Sequence, residues 1–240
     1  MQFTLKEKYG IGDLLEIVAL LRSPGGCPWD KEQTHLSIRR NFIEETYEAV
    51  EAIDSGDNAL LLEELGDVLL QVLFHTQIEA EQNTFTFDDV CDGVCKKMIR
   101  RHPHIFPDAA NETAAGDVRT PDDVLRNWDA IKQAEKNQSS FSDTLRSIPS
   151  ALPALIRADK LQSKAAKSGF YGDSREEAIA DIRGGLDKLE NAVEQSGNAV
   201  SDEIGGLLFA AVNLARHFGT NPEDALSKAS ARFIERFANK

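Results

Sequence analysis

Five acidic side chains lie at helical spacing in two neighbouring segments of the sequence. Glu44, Glu45 and Glu48 belong to the first segment, and Glu64 and Asp67 belong to the second. On a helix, residues three or four positions apart lie side by side on one face. Each segment therefore presents a group of carboxylates, and such groups can bind a divalent cation or transfer protons.

The second acidic segment is apolar around most of its circumference. Only one narrow polar stripe remains, and it consists of Glu64, Asp67, Gln71 and His75. A helix that is apolar on nearly all sides is expected to be buried. Buried carboxylates are costly unless they are paired or bind a metal.

Two explanations of the buried acids remain open at this point. Arg39 and Arg40 could pair with Glu64 and Asp67. However, the facing segment supplies three further acids, and five acids that face one another need a cation. Hard oxygen ligands suit Mg²⁺ or Mn²⁺ better than Zn²⁺. The sequence therefore predicts a divalent-metal site between the two segments.

The elements that must position these acids are helices. Apolar residues recur with the helical period, and strand-like alternation is nearly absent. The periodicity predicts helices over residues 12–22, 36–54, 59–82 and 87–101. Thr120 and Pro121 are typical of the start of a further helix, which we expect to run to about Lys136. The protein is predicted to be all-α.

Composition limits the possible partners and the compartment. The chain has 240 residues and a formal net charge of −13, which disfavours nonspecific binding to nucleic acid or to anionic membranes. It lacks the run of about 18 apolar residues that a membrane span requires. The three cysteines indicate a reducing cytoplasm without a disulfide framework. Cys91 and Cys95 are expected to be buried free thiols.

The sequence contains an internal repeat. Residues 63–81, EELGDVLLQVLFHTQIEAE, are similar to residues 202–219, DEIGGLLFAAVNLARHFG. We therefore expect two copies of one helical unit, over residues 1–118 and 150–240. Residues 119–149 would form a connecting helix and linker.

The second copy has lost most of the acids. Positions equivalent to Glu44, Glu45, Glu48, Glu64 and Asp67 are occupied by Gly184, Gly185, Lys188, Glu203 and Gly206. Lys188 could pair with Glu203 and replace the cation. The apolar face is retained, so this copy is expected to fold and to serve a structural or regulatory role. Its basic stripe of Lys228, Arg232 and Arg236 could still hold a nucleotide.

The acidic pattern and several other stretches resemble a known family. E-E-x-x-E followed by E-x-x-D is similar to the all-α nucleotide pyrophosphohydrolase superfamily. Further stretches narrow the resemblance to MazG proteins, and these are GGCPWDKEQTH (25–35), RRHPHIF (100–106), NWDAIKQAEK (127–136) and LPALIRADKLQSKAAKSGF (152–170). The resemblance covers nearly the whole chain.

The resemblance implies hydrolysis of nucleoside triphosphates to the monophosphate and pyrophosphate. Glu45, Glu48, Glu64 and Asp67 match the Mg²⁺ ligands of the family, and Mn²⁺ could replace Mg²⁺. Glu44 would be an outer-sphere or water-orienting acid, so Glu44 and Glu45 are the candidate catalytic acids. The second domain of MazG proteins also carries acids, from which this sequence departs. We expect a homodimer whose interface completes a four-helix core.

Other residues could contact the rest of the substrate. A basic cluster, which could bind the phosphates or form a solvated face, consists of Lys96, Lys97, Arg100 and Arg101. Trp29 lies in a segment bounded by Gly and Pro, interpreted as a loop, where it could stack on a base or plug the domain. His102 and His104 are at least as consistent with structural roles as with catalysis.

Two alternatives to a general triphosphate hydrolase remain open. Loss of the acids in the second copy favours a non-catalytic nucleotide sensor or a helical interaction protein. The five acids of the first copy argue against it. Alternatively, the enzyme could act on a narrower substrate, such as a noncanonical or damaged deoxynucleoside triphosphate.

Overall fold

The computed structural model describes residues 3–106, 140–170, 174–194 and 199–238, together with a few positions between 120 and 135. All regular elements in this part of the chain are helices, which confirms the all-α prediction. The chain divides into two compact units, Met1–Asn127 and Trp128–Lys240, called unit 1 and unit 2 below. None of the described helices is long and apolar enough to cross a membrane.

Unit 1 contains five described helices. They are α1 (Ile11–Arg22), α2 (Pro28–Glu32), α3 (His35–Ser55), α4 (Asn58–Glu81) and α5 (Phe87–Arg101). The four long helices begin and end within one residue of the predicted bounds. The short helix α2 was not predicted, because its five residues are too few to show a helical period.

A tight turn folds α4 back against α3. Gly56 ends α3 in the left-handed conformation, with φ of +70°, which a residue without Cβ adopts readily. Asp57 then caps α4, because its carboxylate accepts hydrogen bonds from the backbone N–H groups of Ala59 and Leu60. The resulting hairpin brings the two acidic segments together.

The core of unit 1 lies at the C-terminal half of α4. Leu73, Phe74 and Ile78 pack there against Val18 of α1 and Ile38 of α3. At the N-terminal end of α4, Leu62 is 77% exposed and Leu65 is 54% exposed. The prediction that α4 is buried along its length is therefore wrong for its first turns, because the packing from α1 lies farther along the helix.

A buried arginine attaches α2 to the core. The Arg22 guanidinium donates to both carboxylate oxygens of Glu81, at 2.8 and 2.9 Å. It also donates to the backbone carbonyls of Asp30 and Gln33 at the end of α2, at 2.6 and 3.1 Å. A side chain at Gly26 would collide with the carbonyls at the end of α1. The glycine in the GGCPWD stretch therefore permits this close turn.

Unit 2 also contains five described helices. They are α6 (Phe141–Arg146), α7 (Ala154–Lys167), α8 (Arg175–Glu194), α9 (Val200–His217) and α10 (Pro222–Ala238). Helix α9 packs against α7, α8 and α10. A Cβ at Gly185 on α8 would lie 3.3 Å from the Leu207 side chain on α9, so these two helices approach closely.

The segment between these helical groups is described only in part. Thr120 caps the predicted connecting helix, since its hydroxyl accepts from the N–H of Asp123 at 3.2 Å and the Asp123 carboxylate accepts from Thr120 in return. The described positions from 121 to 135 are helical. The predicted irregular connection at 107–119 and the predicted helix end near Lys136 lie outside the described residues.

One prediction about burial is wrong in α5. Cys91 and Cys95 are both exposed in unit 1, whereas buried thiols were expected. The expectation rested on the usual burial of free cysteines, which does not determine the face of α5 that a cysteine occupies.

Candidate active site

Three carboxylates converge between α3 and α4. One oxygen from each of Glu45, Glu48 and Glu64 lies within 4.8 Å of the other two. Glu64 is buried, with 8% of its surface exposed, whereas Glu45 is half-buried and Glu48 is exposed. The cluster is therefore open to solvent on the α3 side and closed on the α4 side.

The electrostatics of the cluster favour protonation or a cation. Burial raises the pKa of Glu64, and the negative charges of Glu48 and Asp67 raise it further. Burial likewise raises the pKa of Glu45, with additional contributions from the Asp67 charge and a hydrogen bond with Glu48. Asp67 is thus close enough to act on both residues, although it lies outside the group of three.

The buried acids have no cationic partner among the described side chains. Oxygen Oε2 of Glu64 is buried and has no hydrogen-bond partner there. Arg40, which could have paired with Glu64, instead donates to Glu44 one turn along α3, at 2.9 Å. An unpartnered buried carboxylate oxygen beside two further carboxylates fits a hard divalent cation.

Glu44 differs from the other predicted site residues. It is exposed, it pairs with Arg40, and it is not part of the carboxylate cluster. Glu44 lies directly before Glu45 in the chain, so its backbone borders the site. The structure therefore groups three of the five predicted acids, with Asp67 close by and Glu44 at the margin.

The polar stripe of α4 continues into a histidine network. Nδ1 of His35 lies 2.7 Å from Nδ1 of His75, and Nε2 of His35 lies 2.7 Å from a Glu79 oxygen. Burial and the nearby His35 lower the pKa of His75. Sequence reasoning placed His75 on the stripe but missed His35. That residue is 40 positions away in sequence and carries no local signal.

The predicted substrate contacts lie on α2 and α5. Trp29 lies on helix α2 and not in a loop, and it is 60% exposed, so it does not plug unit 1. Lys96 pairs with Asp92 on its own helix, at 2.6 Å. Lys97, Arg100 and Arg101 occupy the last turns of α5, a helix that packs on α4.

The histidines after α5 have a visible structural role. Nδ1 of His102 lies 2.6 Å from the backbone carbonyl of Met98, so the ring caps the end of α5. The His104 ring lies against that of His102, with centroids 5.7 Å apart.

In the described part of unit 2, no comparable acidic cluster is present. Glu203 is half-buried, and Lys188 is exposed. The predicted ion pair between these two residues is not formed. Gly185, which the predicted repeat aligns with Glu45, lies where α8 and α9 approach closely.

The fold and site define a class: an all-α protein with a carboxylate cluster on a helical hairpin. Residues 33–106 match the model of the MazG nucleotide pyrophosphohydrolase domain. This match covers α3, α4 and α5 and includes every residue of the carboxylate cluster.

Relatives extend this similarity over most of the chain. The chain is 41% identical over 233 residues to a nucleoside triphosphate pyrophosphohydrolase of Escherichia coli K12, covering 95% of this chain and 85% of that protein. It is 40% identical over 225 residues to the nucleoside triphosphate pyrophosphohydrolase/pyrophosphatase MazG of Thermotoga maritima, covering 94% and 83%. It is also 45% identical over 224 residues to the uncharacterized protein YabN of Bacillus subtilis, covering 92% of this chain but only 44% of that protein. The chain belongs to the MazG nucleotide pyrophosphohydrolase family.

Proposed function

We propose that this protein hydrolyses nucleoside triphosphates to nucleoside monophosphates and pyrophosphate, with Mg²⁺ as cofactor and with unit 1 as the catalytic unit. The observation that carries the proposal is the convergence of Glu45, Glu48 and Glu64, with an unpartnered buried oxygen on Glu64. The names of the relatives from Escherichia coli and Thermotoga maritima support the reaction.

Glu45, Glu48, Glu64 and Asp67 would hold the metal, for which Mn²⁺ is a substitute. When bound, the ion neutralises phosphate oxygens and acidifies water. Glu45 and Glu44 are the proposed catalytic acids. Glu45 belongs to the carboxylate cluster itself, so it is the nearer of the two acids to a water molecule at the metal. Glu44, exposed beside it, would orient the attacking water.

The basic end of α5 supplies the charge that binds the phosphates. Lys97, Arg100 and Arg101 lie on a helix that packs on α4, and α4 also packs on α3, which carries Glu45 and Glu48. Lys96, the fourth predicted contact, would have to exchange Asp92 for a phosphate oxygen. Trp29 is large, aromatic and exposed on α2, and it is the proposed stacking surface for the base.

A second copy of the chain is the proposed partner. The α3–α4 hairpin exposes a group of large apolar side chains, which are Ile43, Tyr47, Val50, Ile53, Leu62 and Leu65. An apolar face of this kind is typical of an interface and not of a free surface. A homodimer would cover it and complete a four-helix core. Light scattering on the purified protein tests this, and a monomer at all concentrations would contradict it.

The function itself is tested by identifying products. The pure protein is incubated with ribo- and deoxyribonucleoside triphosphates, including oxidised and other noncanonical ones, with Mg²⁺ or with EDTA. We expect monophosphate and pyrophosphate only in the presence of metal. Diphosphate and phosphate would contradict the proposed bond cleavage.

A non-catalytic role remains the second candidate, because unit 2 lacks the acidic cluster in its described part. Metal-dependent nucleotide binding without turnover in the same assay would favour a nucleotide sensor.

A further inference from the structure

A pair of histidines on unit 1 lies apart from the carboxylate cluster, and the proposed reaction does not use it. His35 is the first residue of α3, and His75 lies on α4. Their rings face each other with the two Nδ1 atoms 2.7 Å apart and with an angle of 7° between the ring planes. Two different helices therefore bring one imidazole nitrogen each to a single point. Imidazole is the most common metal ligand in proteins.

A carboxylate fixes the orientation of the first ring. Nε2 of His35 lies 2.7 Å from Oε1 of Glu79, and the other oxygen of Glu79 accepts a hydrogen bond from the hydroxyl of Thr84. The hydrogen bonds with Thr84 and His35 lower the pKa of the Glu79 carboxyl, so Glu79 is the acceptor and Nε2 of His35 is the donor. A histidine that binds a metal through one ring nitrogen usually donates from the other to a carboxylate in this way.

These contacts determine where the protons lie when both rings are neutral. His35 carries its proton on Nε2, so its Nδ1 is an acceptor. The proton between the two rings must then belong to Nδ1 of His75. Burial and the neighbouring His35 lower the pKa of His75, which favours the neutral ring. If the proton of His75 moves to Nε2, the lone pairs of the two Nδ1 atoms face each other.

The pair is open to solvent and needs only a small shift to admit a cation. The side chain of His35 is 40% exposed, and His75 is half-buried. Zinc binds imidazole nitrogens at about 2.0–2.1 Å, so two nitrogens of a tetrahedral site lie about 3.3 Å apart. The two Nδ1 atoms would therefore have to separate by about 0.6 Å. The His75 ring lies against the ring of Phe42, which leaves the more exposed His35 to make this shift.

The donor set distinguishes the histidine pair from the carboxylate cluster. His75 lies eight positions after Asp67, and eight residues of helix span about 12 Å. Imidazole nitrogens suit Zn²⁺, Ni²⁺ and Cu²⁺, whereas carboxylate oxygens suit Mg²⁺. The two places therefore select different cations, and they are far enough apart to be filled together.

We propose that His35 and His75 form a second metal site of unit 1, which binds one borderline divalent cation such as Zn²⁺ through the two Nδ1 atoms. Glu79 orients His35, and water supplies the remaining ligands. Binding moves the proton of His75 from Nδ1 to Nε2, so two neutral rings bind the cation without releasing a proton. The cation joins the first turn of α3 to α4. The site does not depend on the proposed hydrolysis and is tested separately from it.

Zinc binding is measured by calorimetry on the full-length protein without an affinity tag, at mildly alkaline pH. Excess Mg²⁺ is present to keep Zn²⁺ from the carboxylate cluster. The exposed Cys91 and Cys95 are replaced by serine, because thiolates also bind zinc. We expect one Zn²⁺ to bind at the histidine pair of each chain.

The proton positions give a readout that a purely structural hydrogen bond would not change. Nitrogen-15 NMR of the histidine rings should show His75 protonated on Nδ1 in the absence of zinc. In the zinc-bound protein, both His35 and His75 should be protonated on Nε2. No zinc binding, or zinc binding with His75 still protonated on Nδ1, would overturn the proposal.

Variants assign the cation to this pair. Glu79→Gln removes the carboxylate that orients His35 and should weaken zinc binding about tenfold. His75→Gln removes a ligand and should weaken zinc binding more strongly. His35→Gln removes the other ligand at a more exposed position, so it serves if His75→Gln does not fold. His104→Gln is the matched control, because the ring of His104 also lies against another histidine, His102. Unchanged affinity in a folded His35 or His75 variant, or loss in His104→Gln, would overturn the assignment.

Discussion

Each unit contains a helical hairpin, and the two hairpins differ in what lies between their helices. In unit 1, α3 and α4 hold three carboxylates within 4.8 Å of one another. In unit 2, α8 carries Gly185, which the predicted repeat aligns with Glu45, and a Cβ there would press against Leu207 on α9. A residue without Cβ at this position permits the close approach of α8 and α9. The difference shows that the acidic cluster is not required for the hairpin to form.

The buried polar residues of the two units differ in the same way. Arg22 of unit 1 donates to Glu81 and to two carbonyls. Gln162 of unit 2 uses its amide N–H, while its oxygen has no partner in the described structure. The first residue is fully paired within the fold, whereas the second keeps one buried acceptor without a partner in the described structure.

The largest expected effect is a loss of activity on substitution of an acid in unit 1 but not in unit 2. Glu48→Gln removes a carboxylate of the cluster and should lower kcat/KM by about a hundredfold or more. Glu203→Gln, the matched change in unit 2, should leave kcat/KM within about twofold. Glu48 and Glu203 are not fully buried, so both variants should fold. Loss of activity in Glu203→Gln alone would reverse the assignment of the catalytic unit.

The next effect concerns stability. Arg22→Met breaks a buried charge pair and should lower the free energy of unfolding of unit 1 by about 2–3 kcal/mol. This loss is smaller than the usual cost of breaking a fully buried ion pair, because the Glu81 side chain is 37% exposed. Gln162→Leu removes an unpartnered atom and should cost about 1 kcal/mol or less in unit 2. Hydrogen exchange of peptides from each unit measures the loss of stability in each variant. Equal losses in Arg22→Met and Gln162→Leu would contradict the difference expected between the two units.

A smaller effect is a pH dependence of the metal-free protein. The pKa of Glu64 is raised in the folded state, because of burial and then the charge of Glu48. The folded state therefore holds a proton that the unfolded state releases, so stability should fall as the pH rises above about 4.5. Thermal unfolding in EDTA from acid to neutral pH measures this fall. Glu64→Gln should reduce the fall, with the remainder due to the raised pKa of Glu45, whereas Glu203→Gln should leave it unchanged.

The smallest expected effect is a pH dependence of stability with the opposite sign. It comes from the Arg22–Glu81 pair at the C-terminal end of α4. The hydrogen bond from Arg22 lowers the pKa of Glu81. Its stabilising contribution is complete above the unfolded pKa of about 4.5 and disappears as the pH falls through the lower folded pKa. The stability difference between the wild type and Arg22→Met should therefore narrow in acid. A difference that widens in acid would contradict this assignment.

The sequence predicted the long helices and the acid positions because both depend on local spacing. Glu45 and Glu48 are about one helical turn apart, and so are Glu64 and Asp67. Helical geometry alone therefore places the two members of each pair on one face. The turn that brings the pairs together is also local, since Gly56 and Asp57 are adjacent.

Features that depend on distant contacts were not predictable in this way. Helix α2 is held by Arg22, and the ring of His35 meets that of His75 across two helices. The exposure of Leu62 and of Cys91 depends on where neighbouring helices pack, which periodicity does not determine.

The Arg22 contacts also set an order of events during folding. The α3–α4 hairpin needs only a two-residue turn, so its closure is local and fast. Arg22 and Glu81 are 59 positions apart, and their pairing must wait until α1 has met the end of α4. A five-residue helix does not persist alone in water, so α2 should become ordered only after that pairing. The acidic cluster would then assemble before Trp29 is in place, and the surface proposed to stack on the base would be among the last parts of unit 1 to form.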